Sequence, residues 1–324
     1  MFSVVRKLLQ DRGISENLAV VIFNSWRKSS QRQYWSYIKR WLQFCDSWKI
    51  DSFNPTVNNF LCFLQTLFDQ KLSYSAINTA RSAVSSLLSL CGKENFGSHT
   101  LIKRYLKGVF VKRPTLPKYT CTWDVSIVIN YLKTLFPLSE LSLKLLSCKT
   151  LMLLALLTGQ RGQTLHLLTV DDVVVGNDHV EIRYSSLLKT SKPGKHVNNV
   201  KFPMYVEKEL CIVRTLCDYL ERTKFIRQDK KLFISTMKPH KGVSRDTISR
   251  WIRDTMEMSG IDISKFCPHS TRAAATSAAH KAGVPIDIIM EKAGWSNAST
   301  FRRFYNKPIQ TSAQFNESIL KSVT

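Results

Sequence analysis

Apolar residues recur at helical spacing through the first third of the chain. From about residue 14 to residue 112, apolar positions three and four residues apart alternate with polar ones, which predicts a series of amphipathic helices. Polar or proline-containing segments mark where helices begin or end. The predicted helices run from Ser29 to about Trp48, from Asn54-Pro55-Thr56 onward, over Ser73–Leu90 and over His99–Val111.

A segment without apolar periodicity interrupts this series. Residues 112–120 contain two prolines and three basic residues, a composition typical of a linker. We therefore predict two domains, covering residues 1–113 and residues 114–324. The first of them should be a small helical domain.

The second domain combines helices with a short β-sheet. Leu143–Thr158 is almost entirely apolar and predicts a buried central helix. Three β-branched segments then predict an antiparallel sheet at about residues 172–203; they are Asp172–Val175, Val180–Leu187 and Val197–Phe202. Helical patterns resume over Val206–Thr223, Ser244–Ser259, His269–Ala282, Ile286–Ala293, Ser299–Tyr305 and Ser312–Val323. The predicted fold is mainly α with a small antiparallel sheet (α+β).

The charge of the chain indicates a polyanionic partner. Its 324 residues include 47 Lys and Arg against 24 Asp and Glu, which gives a net charge of +23. Both predicted domains are basic. Residues 1–118 hold 18 basic and 6 acidic residues, and the rest of the chain holds the other 29 basic and 18 acidic residues. A protein this basic most often binds nucleic acid, and two basic halves fit a protein that closes around a duplex.

Basic side chains on the helices of the first domain are the candidates for this binding. A solvated helix face is the alternative for each of them. The candidates are Arg32, Lys39, Arg40, Arg81, Lys103 and Arg104.

Cysteine usage and hydropathy narrow the class of protein. The eight cysteines form no Cys-x-x-Cys pair and no zinc-like spacing, so we expect mostly buried free thiols in a reducing compartment. Arg6, Lys7 and Asp11 interrupt any early apolar run, so we expect no signal peptide. The longest apolar stretch, near Leu151–Leu157, is too short to span a bilayer. We therefore expect a soluble intracellular protein.

Polar residues from distant parts of the chain could form one anion site. Arg161 follows the apolar helix, where its guanidinium can hold two oxygens of one phosphate or, alternatively, cap helix carbonyls. His269 and Arg272 lie three residues apart on the first turn of a predicted helix. Free backbone N–H groups at that helix start also favour an anion.

A lysine near a predicted hairpin would add a proton donor. Lys189 follows the strand-like run Tyr184–Leu188 and can protonate a leaving oxygen. Lys192, Lys195 and Lys201 lie close in sequence, so the assignment among these lysines stays open.

An aromatic segment near the C-terminus would add a nucleophile. Tyr305 is the only tyrosine after residue 219. A phenol can attack a phosphate when two arginines stabilise the charged transition state, and Trp295 offers an indole N–H. The alternative is that Phe301, Phe304 and Tyr305 are simply apolar helix residues.

The order Arg161, Lys189, His269-x-x-Arg272, Trp295 and Tyr305 resembles that of the tyrosine recombinases, the phage-integrase-like enzymes. The resemblance covers nearly the whole chain, since the family has a helical, SAM-like core-binding domain before its catalytic domain. The segments Gly-Gln-Arg161-Gly-Gln-Thr and Ala-Gly-Trp295-Ser-Asn-Ala-Ser-Thr-Phe are most similar to recombinases of eukaryotic mobile elements of the DIRS, Ngaro and Crypton kinds.

The resemblance implies a role for each residue of the set. Arg161 and Arg272 would clamp the scissile phosphate, and His269 would assist proton transfer and phosphate binding. Lys189 would protonate the leaving 5′ oxygen, and Tyr305 would form a 3′-phosphotyrosyl link. The resemblance implies no metal, ATP or other cofactor.

One residue of the set is an alternative that the family accepts, and the chain departs from the bacterial pattern in two further ways. Trp295 stands where many members have histidine, and its indole N–H can still donate to a phosphate oxygen. Thr164 stands where many bacterial members have an acidic residue. The step from Trp295 to Tyr305 is ten residues, one more than the usual bacterial spacing.

The function implied is site-specific recombination that integrates or excises a mobile element. The partners implied are double-stranded DNA and further copies of the chain, a dimer on one site and a tetramer on two, with no membrane contact. Lys192 and Lys195 would touch DNA phosphates, and Ser312–Thr324 would dock on a neighbouring protomer. A nuclear location follows from the similarity to eukaryotic elements and from the basic Lys112-Arg113 pair.

Two other functions compete with this one. The first is a catalytically silent, domesticated DNA-binding protein, against which the complete set of six residues argues. The second is a type IB topoisomerase-like activity, against which the helical N-terminal domain and the context of Trp295 argue.

Overall fold

The computed structural model describes residues 1–93, 96–116, 120–295 and 297–309. The chain divides into two compact units, Met1–Pro117 and Lys118–Thr324. This division falls inside the proline-containing segment of residues 112–120. The predicted helix over Ser312–Val323 lies outside the described residues.

Helices form the first unit around a cluster of aromatic side chains. Trp41 is fully buried, and its ring centroid lies 5.2 Å from that of Phe63 and 5.7 Å from that of Phe60. Thr56 and Asn59 form a capping box that begins the fourth helix. The described helices of this unit are α1 (Phe2–Gln10), α2 (Glu16–Phe23), α3 (Lys28–Ser47), α4 (Val57–Asp69), α5 (Tyr74–Ser89) and α6 (Thr100–Lys112).

The apolar pattern did not predict α1. Arg6 and Lys7 interrupt its nine residues, yet Val5, Leu8 and Leu9 are buried on one side of it. A helix this short is held by tertiary packing rather than by its own propensity.

A buried helix also organises the second unit. As predicted, α8 (Leu143–Thr158) is almost entirely buried, and it packs against α10, α11 and α12. The other described helices of this unit are α7 (Val125–Thr134), α9 (Gly162–Leu167), α10 (Ile212–Thr223), α11 (Arg245–Met258), α12 (Ser270–Lys281), α13 (Ile286–Ala293) and α14 (Ala298–Phe304).

A three-stranded antiparallel sheet in the order β1-β2-β3 completes this unit. Its strands are β1 (Val173–Val175), β2 (His179–Ile182) and β3 (Val200–Pro203). Val180 and Ile182 of β2 face the core, as do Val200 and Phe202 of β3. The predicted fold class, mainly helical with a small antiparallel sheet, is therefore confirmed.

The predicted bounds of two strands and one helix were wrong. β2 ends at Ile182 rather than at Leu187, and β3 begins at Val200 rather than at Val197. The next helix, α10, begins at Ile212 rather than at Val206, which is 93% exposed. In these cases the apolar pattern of the sequence extends beyond the residues that form the strand or the helix.

The eight cysteines are free thiols. Three of them, Cys45, Cys148 and Cys211, are buried, and the other five are partly exposed. Burial raises the pKa of Cys45 and that of Cys148 to about 11. These two thiols stay protonated, and therefore weakly reactive, near neutral pH.

Candidate active site

The first turn of α12 carries two of the predicted site residues. His269 is the N-cap residue of α12, and Arg272 lies in its first turn. Arg272 is only 1% exposed. Its two terminal nitrogens donate hydrogen bonds to the carbonyl of Gly159 (2.7 Å) and to that of Ala293 (2.6 Å). The guanidinium therefore ties the end of α8 and the end of α13 to the start of α12.

Arg161 lies where the buried helix α8 stops. Gly159 ends α8 in the left-handed conformation (φ 58°), which glycine adopts without strain. Two residues later Arg161 is the N-cap of α9, and its side chain is half-buried. Its positive charge contributes to lowering the pKa values of both His269 and Arg272. The structure therefore brings Arg161 close to the α12 pair.

Trp295 packs against both Arg272 and Tyr305. The Trp295 ring is 6% exposed, and its centroid lies 4.2 Å from the central guanidinium carbon of Arg272. The ring centroid of Trp295 lies 4.5 Å from that of Tyr305 and 5.5 Å from that of Phe301. This stack fixes the plane of the indole beside the guanidinium.

Tyr305 is directly adjacent to His269. It follows the last residue of α14 and is half-buried. Its hydroxyl oxygen lies 3.2 Å from Nε2 of His269. When the imidazole carries its proton on Nδ1, the phenol donates to Nε2, which is the arrangement that a proton transfer from the phenol requires.

Two buried donors of this cluster have no acceptor within the described part of the chain. They are Nε of Arg272 and Nε1 of Trp295. An unpaired buried donor costs about 1–3 kcal/mol, so such atoms are uncommon in folded proteins. Because both occur in one cluster beside Tyr305, they indicate a site shaped for an acceptor such as a phosphate oxygen.

The electrostatic environment keeps His269 neutral. Burial lowers the pKa of His269 below its usual value, and the charges of Arg272, Arg161 and Lys189 lower it further. The pKa of Arg272 is also lowered, mainly by burial and secondly by Arg161, while Tyr305 opposes this change. The nearby positive charges favour binding of an anionic ligand, and the neutral imidazole beside them can accept a proton.

Lys189 lies in a turn of the loop that joins β2 to β3, but the strand-like run predicted before it, Tyr184–Leu188, is not a strand. The loop of residues 183–199 separates β2 from β3 and carries Lys189 as an exposed side chain. Asn198 in this loop donates to Oε1 of Glu291 on α13 (2.9 Å). Gly294 lies so close to the loop that a β-carbon there would come within 2.9 Å of Val197. The loop is therefore packed against the segment that leads into Trp295.

The structure separates the lysines that the sequence left open. Among the described residues, Lys189 is the loop lysine whose charge acts on the pKa of His269. Lys192 and Lys195 form a tight turn through reciprocal backbone hydrogen bonds of 2.9 Å, and their side chains are exposed. Lys201 lies on β3 and is also exposed. Of these four, Lys189 is placed best to act on a group bound beside His269.

Comparison with known proteins identifies the family of this chain. The sequence matches the model of the phage integrase family over residues 130–310, more than half of the chain. The chain belongs to the phage integrase family, the tyrosine recombinases. No curated protein matches the sequence.

Solved structures with the phage integrase fold are similar to this chain. XerH recombinase bound to a palindromic difH substrate has a TM-score of 0.54 and 18% identity, covering 83% of this chain and 72% of that one. The Tn1549 integrase bound to transposon right-end DNA has a TM-score of 0.53 and 14% identity, covering 83% and 84%. The λ integrase tetramer bound to a Holliday junction has a TM-score of 0.51 and 16% identity, covering 96% and 78%. At these identities the similarity shows the fold.

Most predicted DNA-binding residues of this phage integrase family member are exposed. The exposed ones in the first unit are Arg32, Lys39, Arg40, Lys103 and Arg104. Arg81 differs, because it is half-buried and its guanidinium donates to Oδ1 of Asn78 (2.8 Å) and to the carbonyl of Gly97 (3.5 Å). These contacts favour a structural role for Arg81, which fastens the turn at Phe96–Ser98 to α5.

Three polar residues that sequence reasoning missed support the site. Gln160 donates to the carbonyl of Lys292 (2.6 Å), which joins the two segments that Arg272 also joins. Trp123 donates to the hydroxyl of Ser270 (2.9 Å) next to His269. Ser277 bonds to the backbone around Tyr305. A serine or glutamine in a helical segment is too common to have signalled these contacts.

The described residues include neither a candidate membrane span nor a candidate metal site. None of the helices there combines the length and the apolar character needed to cross a bilayer. No three His, Cys, Asp or Glu side chains come together there in a way that would hold a metal ion.

Proposed function

We propose that this protein is a site-specific DNA recombinase that cuts and rejoins DNA through a 3′-phosphotyrosyl intermediate. The observation that carries the proposal is the position of the Tyr305 hydroxyl, 3.2 Å from Nε2 of His269 and beside the buried Arg272. Family membership supports the same reaction class.

The chemistry proposed is a transesterification at one DNA phosphate. The Tyr305 oxygen forms a bond to phosphorus as the bond to the 5′ oxygen breaks, and the phenol proton passes to neutral His269. Lys189 donates a proton to the leaving 5′ oxygen. Rejoining is the reverse reaction with another 5′ hydroxyl, so the bond energy is kept in the phosphotyrosine and no ATP is required.

Arg161 and Arg272 would stabilise the charge that develops on the phosphate. Arg272 is already fixed by two carbonyls, so its remaining N–H groups need no reorganisation when a phosphate binds. The unpaired Nε of Arg272 and Nε1 of Trp295 supply two donors for the non-bridging oxygens. In this proposal Trp295 replaces the histidine of other members as a neutral donor.

The DNA-bound assembly proposed is a dimer on one site and a tetramer on two. The support is the similarity in fold to a λ integrase dimer on a core site (TM-score 0.51, 16% identity) and to the tetramer described above. Ser312–Thr324, proposed to dock on a neighbouring protomer, lies outside the described residues. Truncation after Lys307 tests this docking, since a truncated protein that still assembled and recombined would contradict it.

A role in moving a eukaryotic mobile element and a nuclear location are proposed on the motif segments around Arg161 and Trp295. The basic pair Lys112-Arg113 adds little to the second point. Arg113 donates to the carbonyls of Phe68 (2.8 Å) and Leu72 (3.0 Å), so its guanidinium is bound to the end of α4.

A covalent-trapping experiment tests the proposed function. Duplexes bound by the Tyr305→Phe protein are first selected from a random pool, and the unsubstituted protein is then given a nicked version of the selected site. We expect a protein–DNA adduct that resists SDS, that is lost with Tyr305→Phe and that persists with the control Tyr205→Phe, an exposed tyrosine outside the cluster.

Each other outcome identifies a different function. No adduct on a tightly bound site would favour the silent DNA-binding protein. An adduct that survived Tyr305→Phe would overturn the nucleophile assignment. Relaxation of supercoiled DNA without exchange between paired sites would favour the topoisomerase-like activity.

A further inference from the structure

One buried hydroxyl bonds to the backbone on both sides of Asn306, at Tyr305 and at Lys307. Ser277 lies on α12, five residues after Arg272, and is 3% exposed. Its Oγ donates to the carbonyl of Tyr305 (2.6 Å) and accepts the N–H of Lys307 (3.1 Å).

Ser277 differs in this respect from other hydroxyl residues in the buried helices. A helical serine or threonine commonly donates to the carbonyl four residues earlier. Thr276, its neighbour, does so to Arg272 (2.8 Å), and Thr255 does so to Trp251 (2.8 Å). The hydroxyl of Ser277 instead leaves its own helix and bonds to a segment 28 and 30 residues away in sequence.

The consequence is that both backbone groups of Tyr305 are held. Its N–H donates to the carbonyl of Phe301 in α14 (2.9 Å), and its carbonyl accepts from Ser277. Beyond it, the carbonyl of Pro308 accepts the N–H of Thr122 (2.9 Å). The helix that begins after His269 and carries Arg272 therefore also carries Ser277, which holds the backbone of Tyr305.

We propose that Ser277 is a positioning residue that sets the distance between the Tyr305 hydroxyl and the bound phosphate. This inference rests on the proposed function, because it assumes that Tyr305 is the nucleophile. Misplacement of a reacting atom by about 1 Å can reduce a rate by about 100-fold. The backbone anchor thus acts on the rate of attack and leaves the DNA-contacting surfaces unchanged.

The test compares Ser277→Ala with Ser277→Thr and with the control Thr276→Val. Thr276→Val removes a hydroxyl from the adjacent position of the same helix, but one whose hydrogen bond stays inside α12. With excess protein on the nicked site, we expect Ser277→Ala to slow adduct formation by about 10- to 100-fold. DNA affinity should change by less than about twofold, and Ser277→Thr, which keeps the hydroxyl, should restore most of the rate.

Amide hydrogen exchange measures whether the hydrogen bond between the Lys307 N–H and Ser277 is present, and it does not require catalysis. Loss of the Ser277 acceptor should speed exchange of the Lys307 N–H by at least about tenfold, whereas Thr276→Val should leave it unchanged. Unchanged exchange in Ser277→Ala would overturn the anchor itself. Faster exchange with an unchanged rate of adduct formation would overturn the positioning role, as would an equal loss of rate in Thr276→Val.

The same pair of measurements separates this inference from the proposed function. If the unsubstituted protein formed no adduct on a well-bound site, the proposed function would fail, and the positioning role would fail with it. The exchange measurement would still report whether Ser277 holds the segment around Tyr305.

Discussion

At the scale of single residues, the protonation state of His269 decides whether it can accept the phenol proton. Burial and three nearby cations lower its pKa below the usual value of 6.5. The neutral form therefore persists to a lower pH than it does for a histidine with the usual pKa. We predict that the rate of adduct formation declines as pH falls, with the midpoint of the decline below pH 6.5.

The measurement is the single-turnover rate of adduct formation from pH 5 to pH 8. His269→Gln should be slower throughout and should lack this decline. A decline centred at or above pH 6.5 in the unsubstituted protein would show that the imidazole is not neutralised by its surroundings.

The buried lysine Lys149 lies away from the site. Its side chain is fully buried in α8, and its ammonium group donates to the carbonyl of Leu135 (2.5 Å). Burial lowers the pKa of Lys149 from 10.5 to about 8. Because each pKa unit corresponds to about 1.4 kcal/mol, holding the charged form inside the fold costs on the order of 3 kcal/mol below pH 8.

The sign of the pH effect follows from this lowered pKa. Between about pH 8 and pH 10.5 the unfolded chain binds a proton that the folded chain has lost, so this group makes the protein more stable as pH rises. We predict that Lys149→Met stabilises the protein by about 1–2 kcal/mol at pH 7, since the unpaired Leu135 carbonyl offsets part of the gain. Urea unfolding at pH 7 and pH 9.5 should show the advantage shrinking at the higher pH. The control is Lys144→Met, which removes a partly exposed lysine of the same helix.

The sequence predicts which residues form the site, but it does not predict which residues hold them in place. Motif order is enough to choose Arg161, His269, Arg272 and Tyr305, and the structure places all four together. The support from Ser277 depends on a hydrogen bond between segments 28 residues apart. No periodicity or local motif carries such information, because the contact exists only after α12 and α14 have packed.

At the scale of elements, the loop of residues 183–199 shows why the strand prediction failed. The buried Tyr184 and Leu188 continue the alternating apolar pattern of β2, but side chains satisfy the backbone in place of a strand ladder. Ser185 N–H donates to Asp172 (3.2 Å), and Leu188 N–H donates to the hydroxyl of Ser191 (3.0 Å). Nε2 of His196 lies 2.5 Å from the carbonyl oxygen of Tyr184. Such side-chain partners end a strand without changing its apolar pattern.

The loop that carries Lys189 depends on Gly294. This glycine has φ 66°, and a β-carbon on it would lie 2.9 Å from Val197. We predict that Gly294→Ala displaces the loop and slows cleavage, because Lys189 then protonates the 5′ oxygen poorly. A substrate with sulfur in place of the bridging 5′ oxygen needs no such proton and should be cleaved at nearly the normal rate. The measurement is the ratio of the two single-turnover rates.

Gly283→Ala provides the matched control for this prediction. Gly283 also has a positive φ, of 85°, but a β-carbon on it would meet no atom within 4 Å. Both substitutions should cost about 1–2 kcal/mol of stability from backbone strain. Only Gly294→Ala should change the ratio of the oxygen and sulfur rates, and an equal change in both variants would contradict the packing argument.

At the scale of the whole molecule, a charge of +23 does not say which cations meet DNA. The structure divides them by what their side chains already bind. Arg81 and Arg113 donate to groups within the first unit, and their loss should act on folding. Lys39 and Arg40 are exposed side by side on α3, and Lys39 lies over the Trp35 ring at 5.4 Å from its centroid. Composition alone treats these four residues alike, because it contains no information on their partners.

The dependence of DNA affinity on salt should separate these two groups. Each phosphate contact contributes about 0.9 to the slope of log affinity against log salt concentration. We predict that the double substitution Lys39→Gln and Arg40→Gln reduces the slope by about 1.8 if both side chains contact phosphates. Arg81→Gln should leave the slope unchanged and lower the stability of the first unit by about 1–3 kcal/mol, because Asn78 and Gly97 lose their donor. Binding titrations between 50 and 300 mM salt, on the order of the range where such slopes are resolved, provide the measurement. A reduced slope in Arg81→Gln, with the double variant unchanged, would reverse the assignment and place the DNA against α5 instead of α3.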